Sequence, residues 1–358
     1  MTLLRCNKEP VQPEVSIIIP ARNEEANLAS CLESLTSQQG VEFEIVVVDD
    51  HSTDRTALIA SSFPNVIVVE AADLPPGWTG KNNAVVTGSR QAHGEWLLFT
   101  DADTFHLPGS LARSLIEAKQ KNASLLSYSP EQITVGFWQK AMMPVIFAEL
   151  ASRYRPSEVS DPSSPAAAAN GQYILIAREA YDAVGGHAAL ASSLLEDVAL
   201  ARAVKLSGRK ISFRFGGDAV HTRMYRSFGQ MREGWTKNLA LLFPAPGRLA
   251  VLRLLECCAF VLSLVLISLL VSSGHLVLAP IFLIGPFITL KRIARAHFPW
   301  SADALVLFGL ILFSYLLLRS KFCHQKGTVS WKGRAYGPLE NPQISIPDHS
   351  PRIARKLS

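Results

Sequence analysis

Cysteine is scarce in this chain of 358 residues, with five in all: Cys6, Cys31, Cys257, Cys258 and Cys323. The number is odd and no pair has metal-ligand spacing. Cys257 and Cys258 also sit in an apolar run, so a disulfide scaffold is excluded and free thiols in a reducing compartment are expected. The opening MTLLRCNKEPVQPE is too short and polar for a secretory h-region, which predicts a cytoplasmic N-terminal domain. No stretch has Walker P-loop spacing, and no Ser-His-Asp or Cys-His set stands ready as a nucleophile, so ATP hydrolysis and an enzyme-borne nucleophile are both disfavoured. The net charge is +5, yet the basic residues are not gathered into a block with interleaved aromatics. No nucleic-acid partner is expected, and attraction to anionic lipid is the simpler account. Between Cys257 and Leu290 there is no Lys, Arg, Asp or Glu.

What is present is acid at the ends of apolar runs. WLLFTDAD, Trp96 to Asp103, closes on Asp101 and Asp103. Successive side chains of a strand alternate faces, so a strand leaving the core after Thr100 delivers both carboxylates to one side of its C-terminal end. Two hard oxygen ligands there suit Mg²⁺ or Mn²⁺ carrying a diphosphate, whereas a DxD standing alone is more simply a solvated turn. It does not stand alone. Asp49 and Asp50 close a second apolar strand, EIVVVDD, and Glu196 and Asp197 open a helix-like run, LLEDVALARAVKLSG.

The order of elements predicts a doubly wound α/β sheet. VSIII (15–19) is a β-branched strand stopped by Pro20, and Asn23 is expected to N-cap a helix through Leu35 with Leu28, Cys31, Leu32 and Leu35 as its stripe. A strand over 43–48, a helix from Asp54 to about Ala60, a strand over 66–69 and the strand at Trp96 complete β-α-β-α-β. Such sheets gather ligands at the carboxyl ends of their strands. LPPGWTGKNN (74–83) is a structured loop, and Lys81 at the mouth of the next helix is either a surface lysine or a neutraliser of phosphate charge. FWQKAMMPVIFAEL (137–150) reads equally as an interfacial segment anchored by Phe137 and Trp138 or as buried core. The Ser-, Pro- and Ala-rich stretch 157–169 suggests a mobile loop able to act as a lid, and NGQYILIA (170–177) resumes as a strand. Asp197 in the first turn of its helix is favoured by the helix dipole with no function at all; the functional alternative is a general base acting on an acceptor hydroxyl. HTRMYRSFGQMREGWTKN (221–238) is a lipid-surface helix, or one in which Trp235 and its basic neighbours also wall an acceptor and phosphate site.

The apolar excess lies in the last third. Gly274-His275 divides the charge-free run, Lys291, Arg292 and Arg295 follow it, and 304–318 is a third apolar run between Asp303 and the pair Arg319 and Lys321. These runs predict a membrane part of two to three spans over 249–320. It follows a catalytic domain at 14–248 with an interfacial segment at 221–248; residues 1–13 form an extension and 321–358 a basic tail. Three spans would place Lys326, Lys332 and Arg334 opposite the catalytic domain, against the positive-inside rule. A re-entrant second stretch, with Pro280 and Pro286, returns the tail but moves the basic loop at Lys291 to the far side. The expected location is the cell inner membrane or another membrane, multi-pass, with the catalytic domain cytoplasmic.

The ordered set VSIIIPARNEE, VVVDDHSTD, LPPGWTGKN, FTDAD, NGQYIL, GGH, LEDVALA and REGWTKN resembles a membrane-bound family 2 glycosyltransferase over roughly residues 14 to 240. Within that family it is most similar to the branch near hopanoid-associated, carotenoid and ceramide glycosyltransferases. TVSWKGRAYG (328–337) is similar to a segment after the last membrane helices of that branch, which gives the tail a reason to lie near the catalytic face. The resemblance implies a GT-A fold, a Rossmann-like, mostly parallel sheet with flanking helices, plus C-terminal transmembrane helices. It implies a UDP- or GDP-sugar site drawing on Pro20, Arg22, Glu24, Asp49, Asp50, Lys81 and Asp101, in which Asp49 or Asp50 contacts the base or ribose. Asp103, with Asp101, would hold the divalent metal, Mg²⁺ or Mn²⁺. Asp197 matches the catalytic base of an inverting displacement, and Glu196, Arg232 and Trp235 fall on the acceptor or phosphate side. Trp235 matches the tryptophan of the family's Q-x-x-R-W motif, but Met231 and Gly234 stand where that motif has Gln and Arg. The departure argues against a processive polymer synthase and fits transfer of a single sugar, with Arg232 as the candidate for the missing positive charge.

The expected function is inverting, metal-dependent transfer of one hexose from a nucleotide sugar to a hydroxyl of a membrane lipid or polyprenoid, of hopanoid, carotenoid or glycolipid type. A nucleotidyltransferase on a similar sheet would want a Gly-rich basic loop directly after the first strand, and PARNEE is not that. A catalytically inactive nucleotide-sugar-binding membrane scaffold is disfavoured by the intact Asp49, Asp50, Asp101, Asp103 and Asp197. The chemistry holds without the family: cationic groups offset charge on the leaving nucleoside diphosphate, while one carboxylate deprotonates a hydroxyl across the sugar.

Overall fold

The computed structural model of the chain describes residues 12–337. The expected extension 1–13 lies almost wholly outside them, as does the tail beyond 337. The β-branched runs form β1 (Val15–Ala21), β2 (Phe43–Asp49) and β3 (Val66–Glu70), paired in parallel, and β4 (Trp96–Phe99) joins the free edge of β1. Pro20 does not stop β1. Its nitrogen faces the side where β4 has already ended, since Ile18 is the last residue to pair with Phe99, so no ladder bond is lost. Helices α1 (Leu28–Thr36), α2 (Thr56–Ser61) and α3 (Gly80–Gln91) make the crossovers. Asn23 does not cap α1. It takes a left-handed φ of 53°, and its Oδ1 accepts the Thr53 N–H at 2.9 Å, tying the loop after β1 to the loop after β2.

Beyond β4 come β5 (Thr104–His106), α4 (Ser110–Gln120), β6 (Leu125–Ser129), β7 (Glu131–Gln132), α5 (Phe137–Arg153) and α6 (Pro156–Ser160). Then follow β8 (Ile174–Ala177), α7 (Arg178–Ala183), α8 (Glu196–Leu206), β9 (Ile211–Phe215) and β10 (Val220–Thr222). The main sheet runs β3-β2-β1-β4-β8-β6-β9, with β8 antiparallel to both neighbours, and β5, β10 and β7 form a small second sheet. One face of the main sheet buries Ile17, Ile19 and Leu98 against Leu28, Leu32 and Leu111; the other buries Ile18 and Leu97 against Val85 and Leu200. The stretch 157–169 is not a free lid. Residues 161–169 are irregular, as the composition suggests, but Val159 is fully buried and Lys205 Nζ donates to the Val159 carbonyl at 2.7 Å, so the segment is clamped rather than mobile.

The last layer holds α9 (Phe228–Leu242), α10 (Pro246–Ser272), α11 (Ala279–Ile293), α12 (Trp300–Asp303), α13 (Val306–Lys326) and a hairpin of β11 (Val329–Trp331) and β12 (Arg334–Tyr336). By length and apolar composition α10 and α13 are each able to cross a membrane. The centre of α5 is core: Met142, Val145, Ile146 and Ala148 pack with Leu310, Phe313 and Leu317 of α13, and only Phe137 and Trp138 at its start stay 45% exposed. At the contact, a Cβ on Gly309 would lie 2.0 Å from the Ala141 carbonyl oxygen. Gly309→Ala is expected to separate α13 from α5 and cost about 1–3 kcal/mol or more; an unchanged melting temperature would show the two helices are not in this contact.

Candidate active site

The acidic turn is built by β4 and the residues just after it. The strand ends at Phe99, and the chain turns at 101–103, closed by the Thr104 N–H and hydroxyl on the Asp101 carbonyl at 3.3 and 2.7 Å. A turn, not strand alternation, brings Asp101 and Asp103 together. Lys81 is the second residue of α3, whose N-cap Thr79 accepts the Asn82 N–H at 3.2 Å. The Asn82 side chain donates to the carbonyls of Leu190, Ala191 and Ser193 at 2.7, 3.1 and 3.1 Å, which fastens the segment leading into α8 beside α3. Lys81 Nζ therefore reaches both Asp101 Oδ1 and Glu196 Oε1, each at 2.8 Å.

This arrangement sorts the acids by their neighbours. Burial opposes charge on Lys81, but Asp101 and Glu196 outweigh it and hold the ammonium well above its ordinary range. Burial likewise opposes the Glu196 carboxylate, and Lys81 wins, keeping it below its ordinary value. Asp197 has no such partner: burial, then the charge of Glu196, push it up to about 6. Its Oδ2 accepts the Gly171 N–H at 3.0 Å and its Oδ1 the Val198 N–H at 2.8 Å, so its orientation is fixed. Burial, then Asp101 and Glu24, push Asp103 up to about 7.

Asp103 Oδ1 is buried without a hydrogen-bond partner among the described residues. A buried, unpaired carboxylate oxygen next to a second carboxylate is what a divalent cation would satisfy, so the donor set fits Mg²⁺ or Mn²⁺. No group of three or more His, Cys, Asp or Glu able to hold an ion occurs among the described residues. The remaining ligands would be diphosphate oxygens and water, the ordinary arrangement for Mg²⁺.

A cavity of about 940 Å³ opens over these groups, and Pro20, Arg22, Glu24, Asp50, Lys81, Asp101, Asp103, Glu196, Asp197 and Trp235 all line it. Asp49 does not. It is the last residue of β2 and faces the other way, its Oδ2 accepting the Ser52 N–H at 3.3 Å, so only Asp50 of that pair is presented to a ligand. Arg232 is corrected as well: it is exposed and off the cavity, roughly half a helical turn from Gly234. The cation that α9 does place in the wall is Lys237, pushed down by burial, with Glu196 the first charge favouring its ammonium. The i, i+3 spacing from Gly234 to Lys237 was the available signal. Trp235 is 3% exposed, beside Phe147 and Tyr225, and its Nε1 has no hydrogen-bond partner among the described residues.

The C-terminal hairpin completes the wall. Arg334 Nη2 donates to Asp50 Oδ1 at 2.9 Å, Lys332 pairs with Glu24 and donates to the Arg22 carbonyl at 3.1 Å, and the Lys237 ammonium lies 5.7 Å from the Trp331 ring centroid. No local pattern marks Arg334 as a partner of Asp50; only the likeness of the tail segment pointed there. The cavity also has an apolar wall, with Phe147, Leu150, Tyr154, Phe213, Phe215 and Phe298 among its lining residues, and with Arg295 and His297 beside Phe298.

A mostly parallel α/β sheet with an acidic turn after its central β4, faced by a second acid pair across a lysine, is the frame of a glycosyltransferase that uses a nucleotide sugar. Residues 16–183 match the family described as glycosyl transferase family 2, and the chain belongs to that family, with the GT-A fold. The 4,4'-diaponeurosporenoate glycosyltransferases of Staphylococcus aureus strains MRSA252 and USA300 are each 30% identical to it over 339 residues, covering 90% of this chain and 88% of theirs. Among solved structures, a mannosyltransferase from Pyrobaculum calidifontis in complex with GDP-Man and Mn²⁺ shares the fold at a TM-score of 0.53 and 18% identity, covering 87% of each chain.

Proposed function

We propose that this enzyme transfers one hexose, with inversion, from a UDP- or GDP-sugar to a hydroxyl of an apolar acceptor dissolved in a membrane. The observation that carries it is one cavity lined both by Asp101, Asp103, Lys81 and Asp197 and by an apolar wall including Phe147, Leu150 and Phe298. An acceptor lying on that wall presents its polar head to Asp197, and the relatives are named as glycosyltransferases of 4,4'-diaponeurosporenoate.

Asp50 and Arg22 bind the nucleoside, and Lys81 lies beside the diphosphate, where its charge offsets that of the leaving group. Asp103, with Asp101, holds a divalent cation, which when bound acts as a Lewis acid on the leaving diphosphate. Asp197 Oδ takes the hydroxyl proton as the acceptor oxygen attacks the sugar carbon from the face opposite the leaving group, a displacement needing no enzyme nucleophile. Trp235 and the aromatic side chains of the apolar wall exclude water, so the acceptor hydroxyl competes with little else. The catalytic domain and the basic loops around the apolar helices face the cytoplasmic side of a bacterial-type inner membrane or an equivalent surface.

The test is transfer by the purified protein in nanodiscs, using a panel of UDP- and GDP-sugars with membrane lipid, with and without Mn²⁺. Asp103→Ala is expected to lower metal-dependent turnover by about two orders of magnitude and to abolish the calorimetric Mn²⁺ binding seen with donor present. Full activity of that variant in chelator would remove the metal from the mechanism.

A further inference from the structure

We infer that the protein enters the bilayer through a single helical hairpin, α10–α11, whose two roots lie on the catalytic side, and that α13 does not cross. The partner is a lipid bilayer. The inference rests on the membrane reading of the proposed function but not on the transfer chemistry.

Three observations fix the hairpin. Its outward surface is largely apolar: Leu262, Leu269, Ile281, Ile284, Phe287 and Ile288 are each more than half exposed, in a stretch without a charged residue. Soluble chains seldom leave so large an apolar surface unpartnered. At its tip, several backbone and hydroxyl donors are met within the chain. Ser272 and Ser273 hydroxyls donate to the Leu269 and Leu270 carbonyls at 2.9 and 3.3 Å, and the His275 N–H also reaches the Leu270 carbonyl, at 2.9 Å. These bonds lower the cost of carrying the tip through the hydrocarbon, and the exposed Ser272, Ser273 and His275 suit a headgroup layer beyond it. Its two roots are tied to one point of the catalytic domain. Arg253 of α10 and Arg292 of α11 both pair with Glu149 of α5, Arg253 Nη2 at 3.1 Å, and Glu256 receives Arg292 at 2.9 Å and the Thr289 hydroxyl at 2.7 Å. The chain that leaves along α10 is back at its starting level by Arg292.

The outgoing arm, α10 from Arg253 to Ser272, spans roughly 30 Å at 1.5 Å per residue, about the thickness of the hydrocarbon core. The return arm, from Gly274 through the turn at 276–278 and α11 to Arg292, starts from the same tip and ends at the same root level, so the tip reaches the far side of the core while both roots stay on the catalytic side. Lys291 and Arg295, both exposed, then stand at the root, and Trp300 is 82% exposed beside them, the residues expected at a headgroup layer.

α13 is long enough to cross but is committed elsewhere. Leu310, Phe313, Leu316 and Leu317 are buried, the Ser320 hydroxyl donates to the Thr236 carbonyl at 2.6 Å, and His324 meets the Lys237 carbonyl at 2.8 Å. Thr236 and Lys237 belong to the helix that walls the cavity, so carrying α13 across a bilayer would dismantle the site. The basic loop and the tail then share one side, which removes the charge conflict of both topologies that the apolar runs allow.

The two arrangements differ at α12. If α10 and α13 each crossed, Ser301 would lie on the face opposite the catalytic domain; in the hairpin arrangement it lies on the same face. Single-cysteine variants Gln39→Cys, Ser301→Cys and Ser273→Cys, in an otherwise cysteine-free chain whose donor binding is checked first, are exposed in sealed inverted membrane vesicles to a membrane-impermeant maleimide. Positions 39 and 301 are expected to label in the same vesicles, and position 273 only after detergent. Labelling of 301 solely from the face opposite 39, or of 273 from the same face as 39 without detergent, overturns the hairpin. Recovery of the native protein in the soluble fraction without detergent would overturn the membrane-acceptor reading together with it, whereas failure of sugar transfer with 39 and 301 co-labelled would leave the hairpin standing.

Discussion

Asp197→Asn is expected to lose turnover by a factor on the order of 10²–10⁴ while becoming harder to unfold. Both effects have one cause. Burial and Glu196 push the folded-state pKa of Asp197 up to about 6, above the ordinary aspartate value of 3.8, so the native protein holds this proton more tightly than the unfolded chain. Between those values stability rises as pH falls, and above about pH 6 the ionised carboxylate is a standing cost to the fold. The amide removes that cost and the base with it. Melts of both proteins should show the variant ahead at about pH 8, with the difference shrinking by about pH 5. The wild-type rate should climb to a plateau above about pH 6, with Lys81, Glu196 and Lys237 as the charged groups facing Asp197. A variant with native turnover, or a wild-type rate flat from about pH 5 to 8, would remove Asp197 as the base.

Lys81→Met is expected to cost about 10²-fold in turnover or more and to lower the melting temperature as well. One ammonium meets Asp101 and Glu196 at the same distance, so its loss leaves two carboxylates facing each other in a largely buried site, with Asp103 and Asp197 close by. Added Mg²⁺ should recover part of the melting temperature but not the rate, because a cation at the acidic turn relieves repulsion without restoring the link to Glu196. Lys81→Arg should not rescue fully: one ammonium nitrogen lies 2.8 Å from both Asp101 Oδ1 and Glu196 Oε1, and a longer, planar guanidinium does not place its charge at that one point. Stopped assays and melts on the three proteins check this, and a fully active Lys81→Arg would show that charge alone suffices.

The acid pairs were legible in the chain because a parallel sheet buries its strands on both faces. Runs such as EIVVV and WLLF therefore announce themselves, and whatever polar residue ends them falls at the ligand edge. Facing was harder. Asp49 and Asp50 are indistinguishable by type, and only the strand's final register turns one toward the cavity. Arg232 was a plausible charge by proximity in sequence, but helical phase excludes it and selects Lys237. Composition also misled where tertiary contacts decide: 157–169 has the residues of a loop yet is clamped by Lys205, and Asn23 has the type of a cap yet serves a neighbouring loop. Apolar content alone does not separate α13 from α10, because a helix packed against α5 and α9 needs the same leucines as one packed in lipid.

The pairing of Arg334 with Asp50 joins positions 284 residues apart. On the proposed function, Asp50, just after β2, binds the nucleoside, and the wall that closes over it is made only when the ribosome has passed β12. An emerging polypeptide therefore lacks part of that wall until its C-terminal hairpin has formed. Fusion partners placed directly after Tyr336 would intrude on substrate recognition, whereas the same partners on the loop at Gln39 would leave it untouched.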